Sequence, residues 1–313
     1  HLCDRRQRQM CIRDRNRGGS KGNNTIQKDY FLPSLNLKYN LNDKNSFRLG
    51  VSKTYTLPQA KEISPYRYVG VNFNSQGNPN LKPSDNYNLD LKWDFNPTPT
   101  ELISLTAFYK LIKNPISRIE VASAGGYLSY ENIADKATVA GVEIEIRKNL
   151  FVRPVSNAAH GMNKLSLGLN GSYIYTNAKM PLATVTTGSQ LEGAAPWIVN
   201  FDLSHNFTKG ERSFVNTLVL NYVSDKIYTI GTQGYQDMME QGVLTLDFVS
   251  QAKLNKHLSL NLKARNLLNP SYKLSRKANE NGEKVILNDY KKGINISLGV
   301  SCTFLSLIHI SEP

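Results

Sequence analysis

Apolar and polar side chains alternate, residue by residue, over long stretches of this chain. The clearest case is 291–304, where Ile294, Ile296, Leu298, Val300, Cys302 and Phe304 alternate with Asn295, Ser297, Gly299, Ser301 and Thr303. A period of two places the apolar side chains on one face of a β-strand and the polar ones on the other. A helix would need apolar residues at spacings of three and four. The segment is therefore predicted to be a strand with one apolar face.

The same alternation predicts eleven strands in all. They span residues 32–42, 46–55, 86–95, 101–113, 137–148, 164–176, 196–207, 213–224, 243–254, 257–268 and 291–304. All of them are longer than the usual strand of a soluble domain, which has about five or six residues. A tilted strand that crosses a bilayer needs roughly 9–11 residues. The lengths therefore favour an all-β fold, an antiparallel transmembrane β-barrel.

The segments between these strands alternate between short and long along the whole chain. The short ones are 43–45, 96–100, 149–163, 208–212 and 255–256, and the long ones are 56–85, 114–136, 177–195, 225–242 and 269–290. Transmembrane barrels have short periplasmic turns and longer extracellular loops. The alternation therefore favours a membrane barrel over a soluble sandwich, although 149–163 is long for a turn.

The distribution of charged and aromatic residues agrees with a barrel. Charged residues such as Asp90, Lys92 and Asp94 share the polar face of a strand. A charge that faces lipid at mid-depth costs about 2–4 kcal/mol, so we predict that these faces point inward. Aromatic residues near strand ends on the apolar faces are predicted to form a membrane girdle, namely Trp93, Phe95, Tyr173, Tyr175 and Trp197.

Enzymatic functions find little support in the sequence. Glu143 and Glu145 point the same way on one predicted strand, as a glycosidase pair would. Arg147 lies on the same face, which favours a charged interior wall instead. The histidines show no metal-ligand spacing, and no nucleophile elbow or phosphate-binding loop occurs. We expect no catalytic residue, no metal site and no cofactor.

The net charge raises nucleic-acid binding as an alternative. The chain carries 38 Lys+Arg against 25 Asp+Glu, a net charge of +13. These basic residues are dispersed over strands and loops and form no stripe with interleaved aromatic residues. A charged barrel interior and loops that face lipopolysaccharide account for them, so no nucleic-acid partner is predicted.

The two ends of the chain depart from the alternating pattern. Residues 1–15 and 305–313 resemble translated sequencing adapters, and we expect both to be artefacts. A basic arm that binds nucleic acid or anionic lipid is the alternative for the first segment. Residues 16–304 are then expected to be part of a longer protein. Cys302 remains as the one expected native cysteine, which leaves no disulfide framework.

Several stretches together carry a family resemblance. They are LPSLNLKYNLN at 32–42, FRLGVSKTYTLPQAKEISPYRY at 47–68, GNPNLKPSDNYNLDLKW at 77–93, LISLTAFYKLIKNPISRIE at 102–120, ENIADKATVAGVEIEIRKNL at 131–150, APWIVNFDLSHNF at 195–207 and NLKARNLLNP at 261–270. In this order and spacing they resemble the C-terminal half of the TonB-dependent outer-membrane receptors, in the form common in Bacteroidetes.

The resemblance implies a 22-stranded barrel closed by an N-terminal plug that contacts TonB. The eleven predicted strands would be the second half of that barrel, without the plug. Such a receptor binds a scarce nutrient outside the cell and imports it across the outer membrane with energy from TonB. Siderophore, cobalamin, glycan and peptide substrates all stay open, and a surface lipoprotein is a further expected partner. Phe304, which ends the last strand, is predicted to be the insertion signal for the barrel-assembly machinery.

Ligand recognition is expected in the long loops, because lipid and wall contacts occupy the strands. Tyr, Asn, Gln and Arg offer flat apolar surfaces together with hydrogen-bonding groups. The candidates are Tyr66, Arg67, Tyr68 and Asn72 in 56–85, Tyr127 and Tyr130 in 114–136, and Tyr228, Gln233, Tyr235 and Gln236 in 225–242. Two other functions stay open at this point, namely a porin without a plug and a soluble all-β binding module.

Overall fold

The structure is a computed structural model that describes residues 10–12, 24–26, 28–121, 126–155, 161–180, 190–278 and 282–303. In chain order its elements are β1 (Met10–Ile12), β2 (Asn24–Ile26), β3 (Ser34–Asn40), β4 (Asn45–Thr56), α1 (Ala60–Ile63), β5 (Arg67–Tyr68), β6 (Ser75–Gln76), β7 (Ser84–Phe95), β8 (Leu102–Lys113), β9 (Ile116–Val121), β10 (Tyr127–Asn132), β11 (Lys136–Pro154), β12 (Met162–Ala178), β13 (Trp197–Lys209), β14 (Arg212–Val223), β15 (Lys226–Thr229), β16 (Met238–Glu240), β17 (Val243–Lys253), β18 (Leu258–Arg265), β19 (Ser271–Lys277), β20 (Lys284–Lys291) and β21 (Asn295–Cys302). Within these residues no helix is both long and apolar enough to span a membrane.

All eleven predicted strands are present, and they form one antiparallel sheet. Its order is β3, β4, β7, β8, β11, β12, β13, β14, β17, β18 and β21, so each of these strands pairs with its neighbours in the predicted series. We call it the main sheet. Short and long connections alternate between its strands, as predicted. All the long connections therefore leave the same end of the sheet, and all the turns leave the other.

The long turn predicted at 149–163 is wrong. β11 continues to Pro154 and β12 begins at Met162, so that only 155–161 lie between them. A β-bulge between Asn149 and Phe151 shifts the register of this pair. Because an extra residue reverses the face of every side chain after it, the alternation breaks at Leu150, and the sequence pattern therefore ends before the strand does.

The register of the main sheet keeps the apolar side chains on one face, which we call the apolar face. Leu89 lies opposite Val51 on one neighbouring strand and opposite Tyr109 on the other. At the far edge of the sheet Leu298 lies opposite Leu262. Leu298 is 71% exposed, so this apolar surface is not covered by the rest of the described chain.

The opposite face, which we call the polar face, carries the charged residues that were predicted to share it. Asp94 is 5% exposed there. Its carboxylate lies 3.6 Å from Nε of Arg48 and 3.3 Å from Nζ of Lys92. These ion pairs compensate part of the charge on this face, whereas the apolar face carries long stretches without any charge.

The buried core of the molecule lies in the long connections and not in the main sheet. One cluster joins Ile119, Ile133, Leu191, Ile227 and Ile230 with two alanines at the ends of β11 and β12. Two smaller clusters are centred on Tyr130 and Leu128, with buried partners from neighbouring connections. We call these connections together the loop cap, which comprises residues 57–83, 114–121, 126–135, 190–196, 224–242, 266–278 and 282–294.

Two small sheets organise the loop cap, and the sequence analysis predicted neither. One has the order β5, β6, β10 and β9, and the other has the order β15, β16, β19 and β20. A parallel bridge between Ile119 and Ile230 connects them. There the amide of Glu120 donates to the Ile230 carbonyl at 3.1 Å, and the amide of Ile230 donates to the Arg118 carbonyl at 3.0 Å.

Candidate functional site

A cavity of about 400 Å³ opens in the loop cap, between the two small sheets. Its polar lining combines tyrosines, cations and amides, and a few apolar groups complete it. The lining residues are Lys61, Gly70, Asn72, Phe73, Ser75, Arg118, Leu128, Tyr130, Tyr228, Glu240, Tyr272, Lys273, Leu274, Asn288 and Tyr290. Residues from four long connections therefore meet in one place.

Arg118, on β9, is held from several sides in this cavity. Its guanidinium carbon lies 4.4 Å from the ring centroid of Tyr228 and 6.0 Å from that of Tyr130. Its Nη2 lies 3.5 Å from Oε1 of Glu192. Its backbone amide donates to the other carboxylate oxygen of Glu192. A guanidinium fixed in this way presents a positive charge with little loss of side-chain entropy when an anion binds.

Glu192 is the acidic partner of this arrangement. Burial raises the pKa of Glu192, and the hydrogen bond and positive charge of Arg118 oppose that shift. The shift means that lost hydration outweighs the attraction of Arg118 in setting the affinity of this carboxyl for its proton.

A tyrosine pair forms another wall of the cavity. Tyr272 on β19 and Tyr290 on β20 lie opposite each other, with ring centroids 5.4 Å apart and ring planes at 18°. Nζ of Lys292 lies 3.8 Å from the centroid of Tyr272. Lys273 also lines the cavity, and its Nζ is 3.9 Å from Asp289. Stacked phenols beside cations suit a flat, electron-rich or anionic ligand.

An ion pair connects the two small sheets beside the cavity. Arg276, on β19, donates from Nη2 to Oε2 of Glu120, on β9. Both side chains are mostly buried. The guanidinium of Arg276 also lies 5.3 Å from the ring centroid of Tyr235. This contact joins residues far apart in sequence and fixes the position of the tyrosine wall relative to Arg118.

Three of the predicted ligand-binding residues line the cavity. They are Asn72, Tyr130 and Tyr228. Tyr130 is only 5% exposed and packs with Ile63 and Leu81 in the core of the loop cap. Its role therefore includes structural packing as well as a contribution to the cavity wall.

The other predicted residues lie in the loop cap but away from the cavity lining. Arg67 and Tyr68 are exposed on β5, and Arg67 lies 5.0 Å from the ring centroid of Tyr127. Gln233 is exposed with a φ of 53°. The remaining three are Tyr66, half-buried before β5, Tyr235, exposed beneath Arg276, and Gln236, half-buried before β16.

The sequence analysis missed the cavity residues that come from 266–294. Tyr272, Lys273, Asn288 and Tyr290 all lie in this connection, whose residues 269–290 were predicted only as a long loop. Short alternating runs such as SYKLSRK at 271–277 are a signal for strands in it, but these runs are shorter than the transmembrane pattern. Arg118 was missed because nothing local distinguishes it from other loop cations.

The predicted girdle residues lie near both ends of the apolar face. Trp93 and Phe95 stack with centroids 6.3 Å apart beside a turn, and Nε1 of Trp93 donates to Oδ1 of Asn45 at 3.1 Å. Tyr173 and Trp197 lie near the long connections, with centroids 4.7 Å apart, and Tyr175 is exposed beside them. Phe304, the predicted insertion signal, lies outside the described residues.

The chemistry of the cavity lining is suited to binding a ligand. Among the described residues no group of three or more His, Cys, Asp and Glu side chains could hold a metal ion. Cations, phenols and amides instead converge on a space large enough for a small organic ligand. Because it lies in connections that leave one end of the main sheet, this space opens at that end.

Comparisons with known proteins agree with this architecture. The family described as TonB dependent receptor-like, beta-barrel matches residues 12–267. The iron-regulated outer membrane virulence protein of Vibrio cholerae serotype O1 is 25% identical over 240 residues, which cover 74% of this chain and 34% of that protein. The chain therefore spans about a third of the length of this curated relative.

Solved structures show the same fold. A mutant of the ferric enterobactin receptor PfeA of Pseudomonas aeruginosa has a TM-score of 0.52 at 18% identity, with 90% of this chain and 40% of that chain covered. The ferric yersiniabactin uptake receptor FyuA of Yersinia pestis has a TM-score of 0.56 at 16% identity, with 90% and 39% covered. In both cases the similarity extends over most of this chain and less than half of the other.

Proposed function

The chain belongs to the TonB-dependent receptor-like β-barrel family, and from this premise we propose that it is part of an outer-membrane receptor that binds a scarce nutrient outside the cell and imports it with energy from TonB. The main sheet forms part of the barrel wall. Its apolar face contacts lipid, since a surface of exposed Leu, Ile and Val side chains is stable there. The end with the long connections faces the outside.

The cavity in the loop cap is the proposed site of first contact with the nutrient. It lies at the end of the sheet that faces outward, and four long connections contribute to it. The buried clusters and the ion pair between Arg276 and Glu120 stabilise its shape before any ligand arrives. A preformed site binds more tightly, because less conformational entropy is lost on binding.

A ferric siderophore is the substrate class that we favour. The names of the relatives refer to iron regulation, ferric enterobactin and ferric yersiniabactin. Iron chelates of this class are anionic and many carry aromatic rings, so Arg118 and the stacked pair Tyr272 and Tyr290 suit them. Cobalamin, glycan and peptide substrates are the alternatives that the experiment below must separate.

Several partners follow from the proposed function. We propose that the complete protein has an N-terminal plug that contacts TonB, and that these eleven strands are half of a 22-stranded barrel. The barrel-assembly machinery and lipopolysaccharide are further proposed partners, and a surface lipoprotein is another. The proposal of a Bacteroidetes-type receptor depends on the sequence stretches alone, such as GNPNLKPSDNYNLDLKW at 77–93.

The family match over residues 12–267, which include ten of the eleven strands of the main sheet, is the observation that carries this proposal. Its test is uptake of radioactive iron, supplied as a siderophore complex, by cells that express the intact receptor. Deletion of the receptor or of TonB is expected to abolish that uptake. Normal iron uptake in the deletion strain, together with lost growth on a glycan or peptide, would reject the siderophore assignment. Nutrient uptake that does not depend on TonB would reject the receptor class.

A further inference from the structure

Four polar side chains interrupt the apolar face of the main sheet near the short turns. They are Asn163 on β12, His205 on β13, Asn216 on β14 and Ser250 on β17. The register places His205 opposite Asn216, and Asn216 opposite Ser250. His205 also lies opposite Leu165, and its neighbours on the same face of β13 are Leu203 and Phe207. We call the four polar residues the polar row.

The hydrogen bonds inside the polar row occupy the oxygen atoms of both asparagines. Nε2 of His205 lies 2.9 Å from Oδ1 of Asn163, and Oγ of Ser250 donates to Oδ1 of Asn216 at 2.7 Å. An amide oxygen can only accept, so the ring nitrogen of His205 is the donor. Within the described part of the chain, the Nδ2 group of neither asparagine has an acceptor. A donor that faces hydrocarbon unpaired costs free energy, so an acceptor from outside the chain would be bound favourably.

Basic residues lie between the polar row and the turns. Lys209 ends β13 and Arg212 begins β14, and the register places them directly opposite each other. Arg153 lies near the corresponding end of β11. Glu211, in the turn between Lys209 and Arg212, already pairs with Lys256 at 2.8 Å. None of the three basic residues forms an ion pair with another described residue. We call these three the basic cluster.

A pair of phenylalanines fixes the depth of the basic cluster. Phe207 and Phe214 lie opposite each other on the apolar face, with ring centroids 6.4 Å apart. Aromatic girdles mark the two interfaces of a membrane barrel. Lys209 follows Phe207 by two residues, which is about 6–7 Å along the strand. The basic cluster therefore lies at the depth of the headgroups, and the polar row lies nearer to the hydrocarbon, where lipid ester groups are found.

The basic residues at this end of the apolar face lie on neighbouring strands. Lys148, on β11, is the only other basic residue of a main-sheet strand that accompanies the basic cluster there. On β7, β8 and β18 the residues of this face nearest to the turns are Phe95, Ile103 and Leu258. A general attraction to the membrane surface would distribute basic residues around the whole rim. Their restriction to β11–β14 indicates a local site.

The charge of this surface favours an anionic occupant over a second copy of the chain. A two-fold interface brings the same patch of both subunits together. Lys209 and Arg212 would then face the same cations of the other copy, and like charges repel. An anion with neighbouring hydrogen-bond acceptors instead complements both the basic cluster and the free amide donors of the polar row.

We propose that the basic cluster and the polar row together bind one anionic glycerophospholipid, in the membrane leaflet on the side of the short turns. Lys209 and Arg212 bind its phosphate, and Arg153 contacts the headgroup from β11. The Nδ2 groups of Asn163 and Asn216 donate to its ester carbonyl oxygens, and its acyl chains lie on the apolar side chains above. This inference rests on the membrane placement in the proposed function and is independent of which nutrient is imported.

The first test measures lipid binding to the purified intact receptor in detergent, by native mass spectrometry. Phosphatidylglycerol and phosphatidylcholine with the same acyl chains are compared on the wild type and on the double variant Lys209→Gln with Arg212→Gln. The matched control is Lys164→Gln with Lys253→Gln. It removes two cations from the polar face of the same sheet, near the same turns.

The double variant is expected to bind phosphatidylglycerol about 30-fold more weakly, because each basic side chain near an anionic surface contributes about fivefold. Its affinity for phosphatidylcholine should change much less, which also shows that the variant is folded. The control is expected to bind both lipids like the wild type. Equal affinity of the wild type for the two lipids would overturn the proposal, and so would an equal loss in the control.

The second test concerns the ester carbonyls and uses a diether phosphatidylglycerol, which lacks them. The wild type is expected to bind the diester about fivefold more tightly than the diether. The variant Asn163→Leu with Asn216→Leu should bind the two lipids equally, and an unchanged preference for the diester would overturn the role of the polar row. Nutrient uptake should continue in all these variants, so a failure to bind lipid would leave the transport proposal standing.

Discussion

The guanidinium carbon of Arg118 lies 4.4 Å from the ring centroid of Tyr228, and this contact joins two long connections that are distant in sequence. Glu192, from a third connection, pairs with the same guanidinium at 3.5 Å. One side chain therefore links three connections of the loop cap. Its loss should affect the order of the cap as well as the charge of the cavity.

Replacement of Arg118 by alanine is expected to loosen the loop cap. The substitution leaves the mostly buried carboxylate of Glu192 without its cation, which costs about 1–3 kcal/mol. Hydrogen exchange of the intact receptor should be about 5- to 150-fold faster at Ile116–Val121 and Tyr127–Asn132. Arg67→Ala, which removes an exposed arginine over Tyr127, is the control and should change little. Equal exchange in both variants would contradict the role of Arg118.

The stability of the loop cap is expected to depend on pH through Glu192. Burial raises the pKa of Glu192 above its ordinary value of 4.5, while Arg118 opposes the shift, and Glu62 and Lys61 act with opposite signs. The closed cap therefore binds this proton more tightly than the opened cap does. The free energy of opening should be largest at low pH and should fall as the pH rises through the range just above 4.5.

Hydrogen exchange at several pH values, corrected for the intrinsic chemical rate, measures this dependence. Glu192→Gln mimics the protonated carboxyl. In this variant the free energy of opening should no longer fall as the pH rises through the range just above 4.5. Asp289→Asn is a suitable control, because Asp289 forms a long and exposed ion pair with Lys273 in the same cap. An unchanged slope in the Glu192 variant would assign the dependence to another group.

Gly141 allows two strands and a side chain to approach closely in the main sheet. A Cβ atom at this position would overlap the carbonyl oxygen of Tyr173 and would lie 2.5 Å from Cζ of Phe108. Gly141→Ala is therefore expected to destabilise the folded barrel by about 1–3 kcal/mol, measured as a lower urea midpoint. At Gly171 a Cβ would meet Cγ2 of Ile144 at 3.5 Å, an ordinary contact. Gly171→Ala should consequently leave the urea midpoint of the barrel nearly unchanged.

The two cavity tyrosines missed by the sequence analysis are expected to contribute directly to affinity. Tyr272→Ala removes one ring of the stacked pair and its contact with Lys292. The stacking of a ligand ring on Tyr272 is worth about 0.5–1.5 kcal/mol in addition to the free energy of the surface that it buries. Its loss is therefore expected to weaken binding of a ferric siderophore about tenfold. Quenching of receptor fluorescence measures the affinity. The control is Tyr68→Ala, because Tyr68 lies outside the cavity lining, and this variant should bind the siderophore with unchanged affinity. An equal loss of affinity in both variants would mean that the ligand binds elsewhere.

The main sheet could be predicted because its signal is local and repeated. Most of its strands alternate over at least seven residues, with the weakest pattern at 213–224. Lipid on one face requires apolar side chains at every second position. The one clear error, at 149–163, came from the bulge at Leu150, which reverses the alternation. Tertiary contacts across the sheet were not needed to find the strands.

The loop cap could not be predicted in the same way, because its contacts join distant segments. β5 has only two residues, and the bridge between Ile119 and Ile230 leaves no periodic pattern in either segment. The pairing of Arg118 with Glu192 depends on the packing of three connections. Composition located the loops that carry binding residues, but only the folded cap shows which of them line the cavity.

The two faces of the main sheet should respond oppositely to a new charge. Leu91, in the middle of β7, is 53% exposed on the apolar face, whereas Thr106 lies on the polar face between Lys92 and Glu143. Leu91→Lys places an ammonium group in hydrocarbon and is expected to cost about 2–4 kcal/mol. Thr106→Lys places the same group beside an existing carboxylate and should cost less than about 1 kcal/mol. Urea unfolding of the intact receptor in lipid vesicles measures the loss of unfolding free energy in each variant. Equal losses in the two variants would mean that the apolar face does not contact the membrane.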